Sequence, residues 1–432
     1  MLKADFIAFF FGGEREAYMV KNYVKNNVKS QYHYFGDNLL VRNGLFDYVQ
    51  LNPLQEMVVL LADGSHTKDE IYHTVLHNFK IEDTEKNRML YQTMLSHLEE
   101  GEIISFCEGR SESKIEISGE KGQRYPDWVM VEATNKCNFR CPHCYKNAGM
   151  DGRELSLDKF ESIVHEMKRN VSNMIITGGE PCCNSNIVNF LALAERHFNT
   201  YLLTNGYLLQ DIPADVILPL RGVQISLYGY DAGSCYRFTG IKDSYERVCR
   251  SIHRLTQNHV EVSLTTIITR DNIERLEDYV ISAIKLGASS LMFGISAPLG
   301  RLQTNNEQFL FDSETHKRIR QKVLSLRETY KDEISIIKMG DVTSFTPKLG
   351  DAFHCQAGKT TIVITEEGEV VPCHMATRRF FQGYSFEAYM QDVKNGITRD
   401  YTEHIRQFRR YMEDQGAKAQ DLYCTGFCNV PD

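Results

Sequence analysis

Glu132-Ala133-Thr134-Asn135-Lys136-Cys137-Asn138-Phe139-Arg140-Cys141-Pro142-His143-Cys144-Tyr145 contains the spacing CxxxCxxC, formed by Cys137, Cys141 and Cys144. The apolar run over residues 129–133 predicts a strand, so the cysteines lie on the loop that follows it. Three thiolates at this spacing can hold three irons of a cubane cluster and leave the fourth iron open to a small molecule. A zinc loop lacking its fourth ligand is the alternative.

The region around this loop, residues 121–300, alternates short apolar runs with amphipathic stretches, which is typical of parallel βα units in an α/β fold. Six such units fall short of a closed eight-stranded barrel. We therefore predict a partial (β/α)6 TIM-like barrel that is open on one side, with its active face at the carboxyl ends of the strands. The predicted strands cover residues 129–133, 173–177, 200–204, 222–227, 261–268 and 290–295, with helices such as 158–168 and 245–257 between them.

Small and polar residues end the next three predicted strands, on the same face as the cysteines. Gly178 and Gly179 let the backbone approach a ligand closely. Glu180 follows them and can accept hydrogen bonds from an ammonium group. Asn205 ends the third strand, and Ser226 lies at the end of the fourth.

The triad and the strand-end motifs, in this order, resemble the radical S-adenosylmethionine (SAM) superfamily. The resemblance implies a [4Fe-4S] cluster at the triad, with SAM bound at its open iron and cleaved to a 5′-deoxyadenosyl radical that abstracts a substrate hydrogen. It also implies that Gly178, Gly179 and Glu180 hold the SAM amino group. Asn205 and Ser226 would contact other polar groups of SAM.

Two further residues are expected to contact SAM from the same resemblance. Arg237, in Tyr236-Arg237-Phe238-Thr239-Gly240, would bind the SAM carboxylate as a fork, and the alternative is a surface arginine in a salt bridge. His143 occupies the position where relatives place a ring beside the adenine. A solvent-facing or helix-capping histidine is the alternative there.

A second group of cysteines lies in residues 301–432, after a helix predicted near residues 314–329. Cys355, Cys373, Cys424 and Cys428 supply four thiolates, which is the number that saturates one cubane. Their surroundings resemble the SPASM extension, whose full form has seven cysteines and two auxiliary clusters. Because only these four match, we expect the shorter, twitch-like form with one auxiliary [4Fe-4S] cluster. A four-cysteine zinc site is the alternative.

Residues 1–120 have the order of a winged-helix module. Strands are predicted over residues 34–41 and 46–51, around the turn Arg42-Asn43-Gly44. Two helices with apolar repeats and a strand over residues 102–106 follow. This module resembles the leader-peptide recognition domain of enzymes that act on ribosomally made peptides. The alternative is a winged helix used for packing or for DNA.

The amino-acid composition indicates which other kinds of partner are not expected. The net charge is -8, and no Lys/Arg block is interleaved with aromatic residues, so nucleic acid is not expected as a partner. The apolar start over residues 6–11 is too short for a membrane span and no cleavage pattern follows it, so we expect a cytoplasmic protein without a membrane partner. In that reducing compartment, the 12 cysteines are better interpreted as metal ligands, reactive groups and core residues than as disulfides.

Together, the three regions resemble the enzymes that mature ribosomally made peptides (RiPPs) with SPASM or twitch extensions. The resemblance implies a precursor peptide bound through its leader, an external electron donor such as flavodoxin or ferredoxin, and a cross-linked product. We expect an oxidoreductase that forms a thioether from cysteine sulfur to peptide carbon, as in bacteriocin biosynthesis. Carbon–carbon cross-linking, epimerisation, modification of a folded protein as in sulfatase maturation, and a non-catalytic sensor remain alternatives.

Overall fold

The computed structural model describes residues 21–27, 29–42, 48–112, 114–296, 298–304, 307–338, 357–375, 383–399, 401, 407, 410, 411 and 414. The chain divides into two compact units. The first comprises Met1–His33 and Asn38–Ile117, and the second comprises Tyr34–Asp37 and Ser118–Asp432. The limits 1–120, 121–300 and 301–432 for three domains stay a prediction.

Two small sheets and three helices form the first part of the chain. The strands are β1 (Tyr23–Asn26), β2 (Gln31–Phe35), β3 (Asn38–Arg42), β4 (Tyr48–Gln50), β5 (Asp63–Thr67), β6 (Ile104–Cys107) and β7 (Ile117–Ser118), and the helices are α1 (Pro53–Leu61), α2 (Lys68–Phe79) and α3 (Glu85–Glu100). The sheet orders are β5-β1-β6 and β4-β3-β2-β7. A winged-helix identity for this part stays a prediction.

Local sequence explains both the helices and one wrong strand prediction in this part. The Thr67 side chain and Glu70 cap α2 reciprocally, and the helix buries Ile71 and Val75 as its spacing predicts. The single strand predicted over residues 34–41 is wrong. Gly36 has a φ of 64° and ends β2, so the chain turns and β3 begins at Asn38. The predicted turn residues Asn43 and Gly44 lie outside the described residues.

One large sheet organises the second unit. It has ten strands in the order β14-β13-β12-β11-β10-β9-β8-β15-β16-β17. From β14 to β15 all neighbours are parallel, whereas β16 and β17 are antiparallel. Its strands are β8 (Trp128–Thr134), β9 (Asn173–Gly178), β10 (Asn199–Thr204), β11 (Gly222–Ser226), β12 (Val262–Ile267), β13 (Ser290–Gly294), β14 (Ser335–Lys338), β15 (Thr361–Ile364), β16 (Glu369–Val371) and β17 (Tyr384–Ser385).

The six predicted barrel strands are confirmed as β8 to β13, in consecutive parallel order. The count of six is nevertheless too low, because β14 extends the parallel sheet beyond β13 and β15 extends it beyond β8. The strand β15 belongs to the predicted cysteine-rich extension. Therefore the extension is not built separately from the barrel, but continues its sheet from the first strand.

Helices cover the sheet and form the core with it. They are α4 (Leu157–Met167), α5 (Ile187–Glu195), α6 (Ala214–Ile217), α7 (Ala232–Thr239), α8 (Ser244–Thr256), α9 (Leu276–Lys285), α10 (Ser313–Thr329) and α11 (Phe386–Lys394). Phe160 of α4 and Phe190 of α5 stack with ring centroids 4.1 Å apart inside this core. No helix in the described part of the chain is long and apolar enough to span a membrane.

Candidate active site at the cysteine loop

The three cysteines lie on residues 135–150, which we call the cysteine loop. Its two ends are held together by the Cys137 N–H, which donates to the Gly149 carbonyl at 3.1 Å. The pKa of Cys137 and of Cys141 is raised to about 12, mainly by burial, and the charges of neighbouring cysteines of the triad contribute to both rises. This mutual influence means that the structure brings the three predicted sulfurs together.

The hydrogen bonds made to the sulfurs suit ligands of an iron–sulfur cubane. Backbone N–H groups donate to two of them, from Phe139 to Cys137 Sγ and from Ala148 to Cys144 Sγ, each at 3.4 Å. Such hydrogen bonds to sulfur are one means by which proteins tune clusters. Among the described residues, no three His, Cys, Asp or Glu side chains are placed to hold one metal ion. A cubane needs no such convergence, since each thiolate binds a different iron.

Three polar atoms of the cysteine loop are buried without a hydrogen-bond partner in the part of the chain that the structure describes. They are Asn135 Oδ1, Asn138 Nδ2 and His143 Nδ1. A buried polar atom without a partner costs free energy, about 1–3 kcal/mol, unless a ligand or water satisfies it. The loop therefore has hydrogen-bonding capacity for a polar ligand beside the sulfurs, as SAM binding requires.

Gly178 and Gly179 are placed where the end of β9 packs on the start of the cysteine loop. A Cβ atom at Gly178 would lie 2.3 Å from the Thr134 carbonyl oxygen, and one at Gly179 would lie 2.4 Å from that of Lys136. The Gly179 N–H donates to the Thr134 carbonyl at 2.7 Å. The absence of a side chain at both positions thus lets the end of β9 pack against the cysteine loop. This is a further reason for glycine at these positions, and the sequence alone did not provide it.

Glu180 is fully buried, and its carboxylate is hydrogen-bonded to other residues of the protein. It accepts hydrogen bonds from Thr204 Oγ1 at 2.7 Å, from the Asn205 N–H at 2.7 Å and from the Cys182 N–H at 3.1 Å. Burial raises its pKa, and these hydrogen bonds oppose the rise. In this arrangement Glu180 orders the end of β10. Its predicted contact with the SAM amino group stays a prediction.

Asn205 connects β10 to the cysteine loop. Its side-chain Nδ2 donates to Asn138 Oδ1 at 2.7 Å, and its Oδ1 accepts from the Tyr207 N–H at 3.0 Å. Ser226 is half-buried at the end of β11, close to the Tyr228 hydroxyl. Both predicted residues therefore lie at the face of the sheet that carries the triad.

His143 lies among aromatic rings. Its ring centroid is 5.6 Å from that of Tyr228, 5.3 Å from that of Phe238 and 6.1 Å from that of Phe309. Burial and the Arg301 charge lower its pKa to about 4, so the ring is neutral at physiological pH. A neutral ring in an aromatic wall suits contact with a flat heterocycle such as adenine.

Three of these aromatic residues and one arginine were missed from the sequence. Tyr228 stacks on Phe238 with centroids 4.9 Å apart, and it lies only two residues after the predicted site residue Ser226. Phe309 and Arg301 come from the segment after the last predicted barrel strand, and no sequence signal marked them. Only the fold brings them to the cysteine loop.

Arg237 is exposed on α7. Hydrogen bonds from Ser234 and then the charge of Arg237 lower the pKa of Asp231, at the start of that helix. This placement fits a surface arginine better than an arginine that binds the SAM carboxylate beside the triad. Its role toward the SAM carboxylate stays a prediction.

Cys373 is the described member of the second cysteine group. It is buried and its Sγ accepts a hydrogen bond from the Met375 N–H at 3.2 Å. Burial raises the pKa of Tyr145, and the charges of Glu132, Cys144 and Cys373 add to the rise, so Tyr145 lies near one cysteine of each group. Cys355, Cys424 and Cys428 lie outside the described residues.

Buried charges join the cysteine loop to the extension. Lys146 forms an ion pair with Glu132 of β8, and its Nζ lies 3.8 Å from the carboxylate of Glu366, which follows β15. Burial raises the pKa of Glu132, and Lys146 opposes that rise. Separating the partners of a buried ion pair is costly, because it leaves an uncompensated charge. These three charged residues therefore hold the cysteine loop against the extension.

Comparison with known proteins identifies the central region. Residues 131–281 match the family model described as Radical SAM superfamily. The chain is 25% identical over 368 residues to the antilisterial bacteriocin subtilosin biosynthesis protein AlbA of Bacillus subtilis (strain 168), covering 84% of this chain and 80% of the relative. It is 28% identical over 258 residues to PqqA peptide cyclase of Methylorubrum extorquens (strain PA1), covering 58% of this chain and 66% of the relative.

A solved structure shares the fold. Streptococcus suis SuiB bound to S-adenosylmethionine superposes with a TM-score of 0.58 at 14% identity, covering 84% of this chain and 85% of SuiB. SuiB has also been solved bound to its precursor peptide SuiA, and that structure superposes with a TM-score of 0.56. At this level of identity the likeness concerns the fold alone.

Proposed function

Since the chain is a radical SAM enzyme, we propose that it modifies a ribosomally made precursor peptide by oxidative cross-linking, most specifically by forming a thioether. The observation that carries the proposal is the cysteine loop, whose three sulfurs lie beside an aromatic wall and beside polar atoms that have no hydrogen-bond partner among the described residues. The relation to a bacteriocin biosynthesis protein over 84% of the chain supports a peptide as the substrate.

The residues of the cysteine loop and of the strand ends would have different roles, in binding the cluster and in binding SAM. Cys137, Cys141 and Cys144 would hold a [4Fe-4S] cluster, and His143, Asn205 and Ser226 would contact SAM. When bound, such a cluster would supply the electron needed for reductive cleavage of SAM. An external one-electron donor such as flavodoxin or ferredoxin would provide that electron. The neutral His143 ring and the stacked Tyr228 and Phe238 would keep water away from the adenine.

Anaerobic assays test the activity and the product separately. The reduced enzyme is expected to form 5′-deoxyadenosine from SAM, and its absence under strong reductant would favour a non-catalytic sensor. Co-expression with a precursor encoded by a short reading frame beside the gene then identifies the bond by mass spectrometry. A loss of about two hydrogens per bond with a masked cysteine thiol is expected for a thioether. The same loss with every thiol free indicates carbon–carbon cross-linking, and an unchanged mass with an inverted residue indicates epimerisation.

The sheet of the first part of the chain offers an edge for the leader of the precursor. Among the described strands, β4 ends the order β4-β3-β2-β7. Leu51 donates its N–H to Leu39 of β3 at 3.0 Å, and Gln50 is paired with Leu40. Since N–H directions alternate along an antiparallel strand, the Gln50 N–H points away from β3. A leader segment adding a strand there would accept a hydrogen bond from it.

Proline at position 50 is expected to weaken leader binding at least about 10-fold, because it removes this outward N–H without removing a bond to β3. Fluorescence anisotropy of a labelled precursor measures the Kd. The Gln50 side chain also donates to Asn38 at 3.1 Å, so Gln50→Ala is the matched control and should bind nearly normally. Normal binding by a folded Gln50→Pro protein would contradict this docking edge. It would also favour a folded protein as the substrate.

An auxiliary cluster would explain how an oxidised product forms, because a carbon radical must lose one electron to become a closed-shell product. We expect about eight irons per chain after anaerobic reconstitution, four of them held by Cys355, Cys373, Cys424 and Cys428. Cys373→Ala should lower the count by about four, while 5′-deoxyadenosine formation continues and the cross-linked product is lost. About four irons in the wild type, with zinc in the extension, would remove this electron acceptor.

A further inference from the structure

Arg301 is bound to the cysteine loop by both its side chain and its backbone. Its Nε donates to the Cys141 carbonyl at 2.8 Å, and its Nη1 donates to the Ala148 carbonyl at 2.8 Å and to Asn147 Oδ1 at 3.2 Å. Its backbone N–H donates to the Cys144 carbonyl at 3.0 Å. One residue from the far side of the sheet therefore contacts the loop at two of the three cysteines and at the stretch after the third.

The backbone before Arg301 is pressed against the same loop. Gly300 has a φ of 57°, and a Cβ atom there would lie 2.3 Å from the carbonyl oxygens of Cys144 and Tyr145. A side chain at this position would both strain the backbone and displace the loop. The segment after β13 is thus shaped to bring the guanidinium group into hydrogen-bonding distance of the loop carbonyls.

The charge of Arg301 is directed at the loop without a carboxylate to neutralise it. No salt bridge joins Arg301 to an Asp or Glu among the described residues, whereas six other described arginines have one, namely Arg88, Arg153, Arg247, Arg275, Arg318 and Arg399. Its guanidinium group instead binds the backbone carbonyl of Cys141, one of the proposed cluster ligands. A cation held beside a cluster stabilises the cluster more strongly after it has gained an electron and become more negative.

We propose that Arg301 is a positioning residue that holds the cysteine loop in its cluster-binding shape and favours reduction of the cluster by its charge. This inference rests on the proposed cluster at Cys137, Cys141 and Cys144. The reduction adds one electron from the external donor and involves no proton transfer. The effect on loop shape and the effect of charge can be tested separately, because a lysine at this position keeps the positive charge but lacks the planar guanidinium group.

Two variants separate the two effects, and both are measured after anaerobic reconstitution. In Arg301→Gln, iron should be lost to a chelator about 10- to 100-fold faster than in the wild type, as for other residues that support metal ligands. The midpoint potential of the EPR signal that responds to SAM should also shift to more negative values. In Arg301→Lys, iron should be lost faster as well, but the potential should stay near that of the wild type.

Arg254→Gln is the matched control. Arg254 also donates to loop carbonyls, those of Leu209 and Ile212 at 2.9 Å each, but it does not contact the cysteine loop. Its variant should keep the wild-type iron stability and potential. A folded Arg301→Gln protein with wild-type iron stability and potential would overturn the inference. If that variant does not fold, wild-type iron stability in Arg301→Lys would overturn the positioning role. A wild type without a SAM-responsive cluster would instead refute the proposed function.

Discussion

Replacing Cys137, Cys141 and Cys144 together by alanine should reduce 5′-deoxyadenosine formation to the level of a reaction without enzyme. The three sulfurs are the only protein ligands proposed for the cluster that supplies the electron, and the hard chemistry belongs to that cofactor. The iron content should fall by about four per chain, and the EPR signal that responds to SAM should disappear. Product analysis by liquid chromatography and iron determination on the same preparation measure both effects.

The control for this triple variant is a cysteine of the same unit that lies away from the loop. Cys249 is half-buried on α8, and Cys249→Ala should keep the wild-type iron content and activity. The circular dichroism spectrum of the triple variant should match that of the wild type, because the loop contributes no helix or strand of its own. Undiminished 5′-deoxyadenosine from a folded triple variant would exclude the triad as the site of SAM cleavage.

Alanine at Gly179 should lower SAM cleavage by about 100-fold or more, although this residue bears no reactive group. The added methyl would lie 2.4 Å from the Lys136 carbonyl and 2.9 Å from that of Asn135, so the backbone just before Cys137 must move. Misplacing a reacting group by about 1 Å can cost about 100-fold in rate. Overpacking of this kind also costs about 1–3 kcal/mol of folding free energy.

Gly149→Ala is the matched control because it adds the same methyl group within the cysteine loop. No heavy atom of the described residues lies within 4 Å of a Cβ atom at Gly149, and the hydrogen bond from Cys137 uses its carbonyl only. This variant should keep near wild-type activity and thermal stability. Equal activities of the two variants in an initial-rate assay would show that contact between the end of β9 and the loop is unimportant for catalysis.

The sequence was sufficient to predict the central strands, because each combines a short apolar run with small or polar residues at its end. Cys137, Glu180 and Asn205 follow three successive strands, Ser226 is the last residue of the fourth, and the parallel sheet brings such positions to one edge. Local patterns therefore predicted both the strands and the residues that surround the triad.

What could not be predicted depends on contacts between distant segments. Arg301 and Phe309 have no distinctive neighbours in the sequence, and only the packing of their segment on the cysteine loop gives them a role. The strand β15 was assigned to a separate extension because its partner, β8, lies far away in the sequence. The burial of the Glu180 carboxylate against Thr204 is likewise a tertiary contact, and no periodicity encodes it.

The parallel pairing of β15 with β8 has a consequence for the order in which the protein is made. Thr361 pairs with Trp128, more than 200 residues earlier in the chain. During synthesis, β8 leaves the ribosome long before β15 exists, so the strand that leads into Cys137 keeps one unpaired edge throughout that interval. Contacts of such long range form late in folding. Iron–sulfur assembly at the triad is therefore expected only after β15 has been made and has paired with β8.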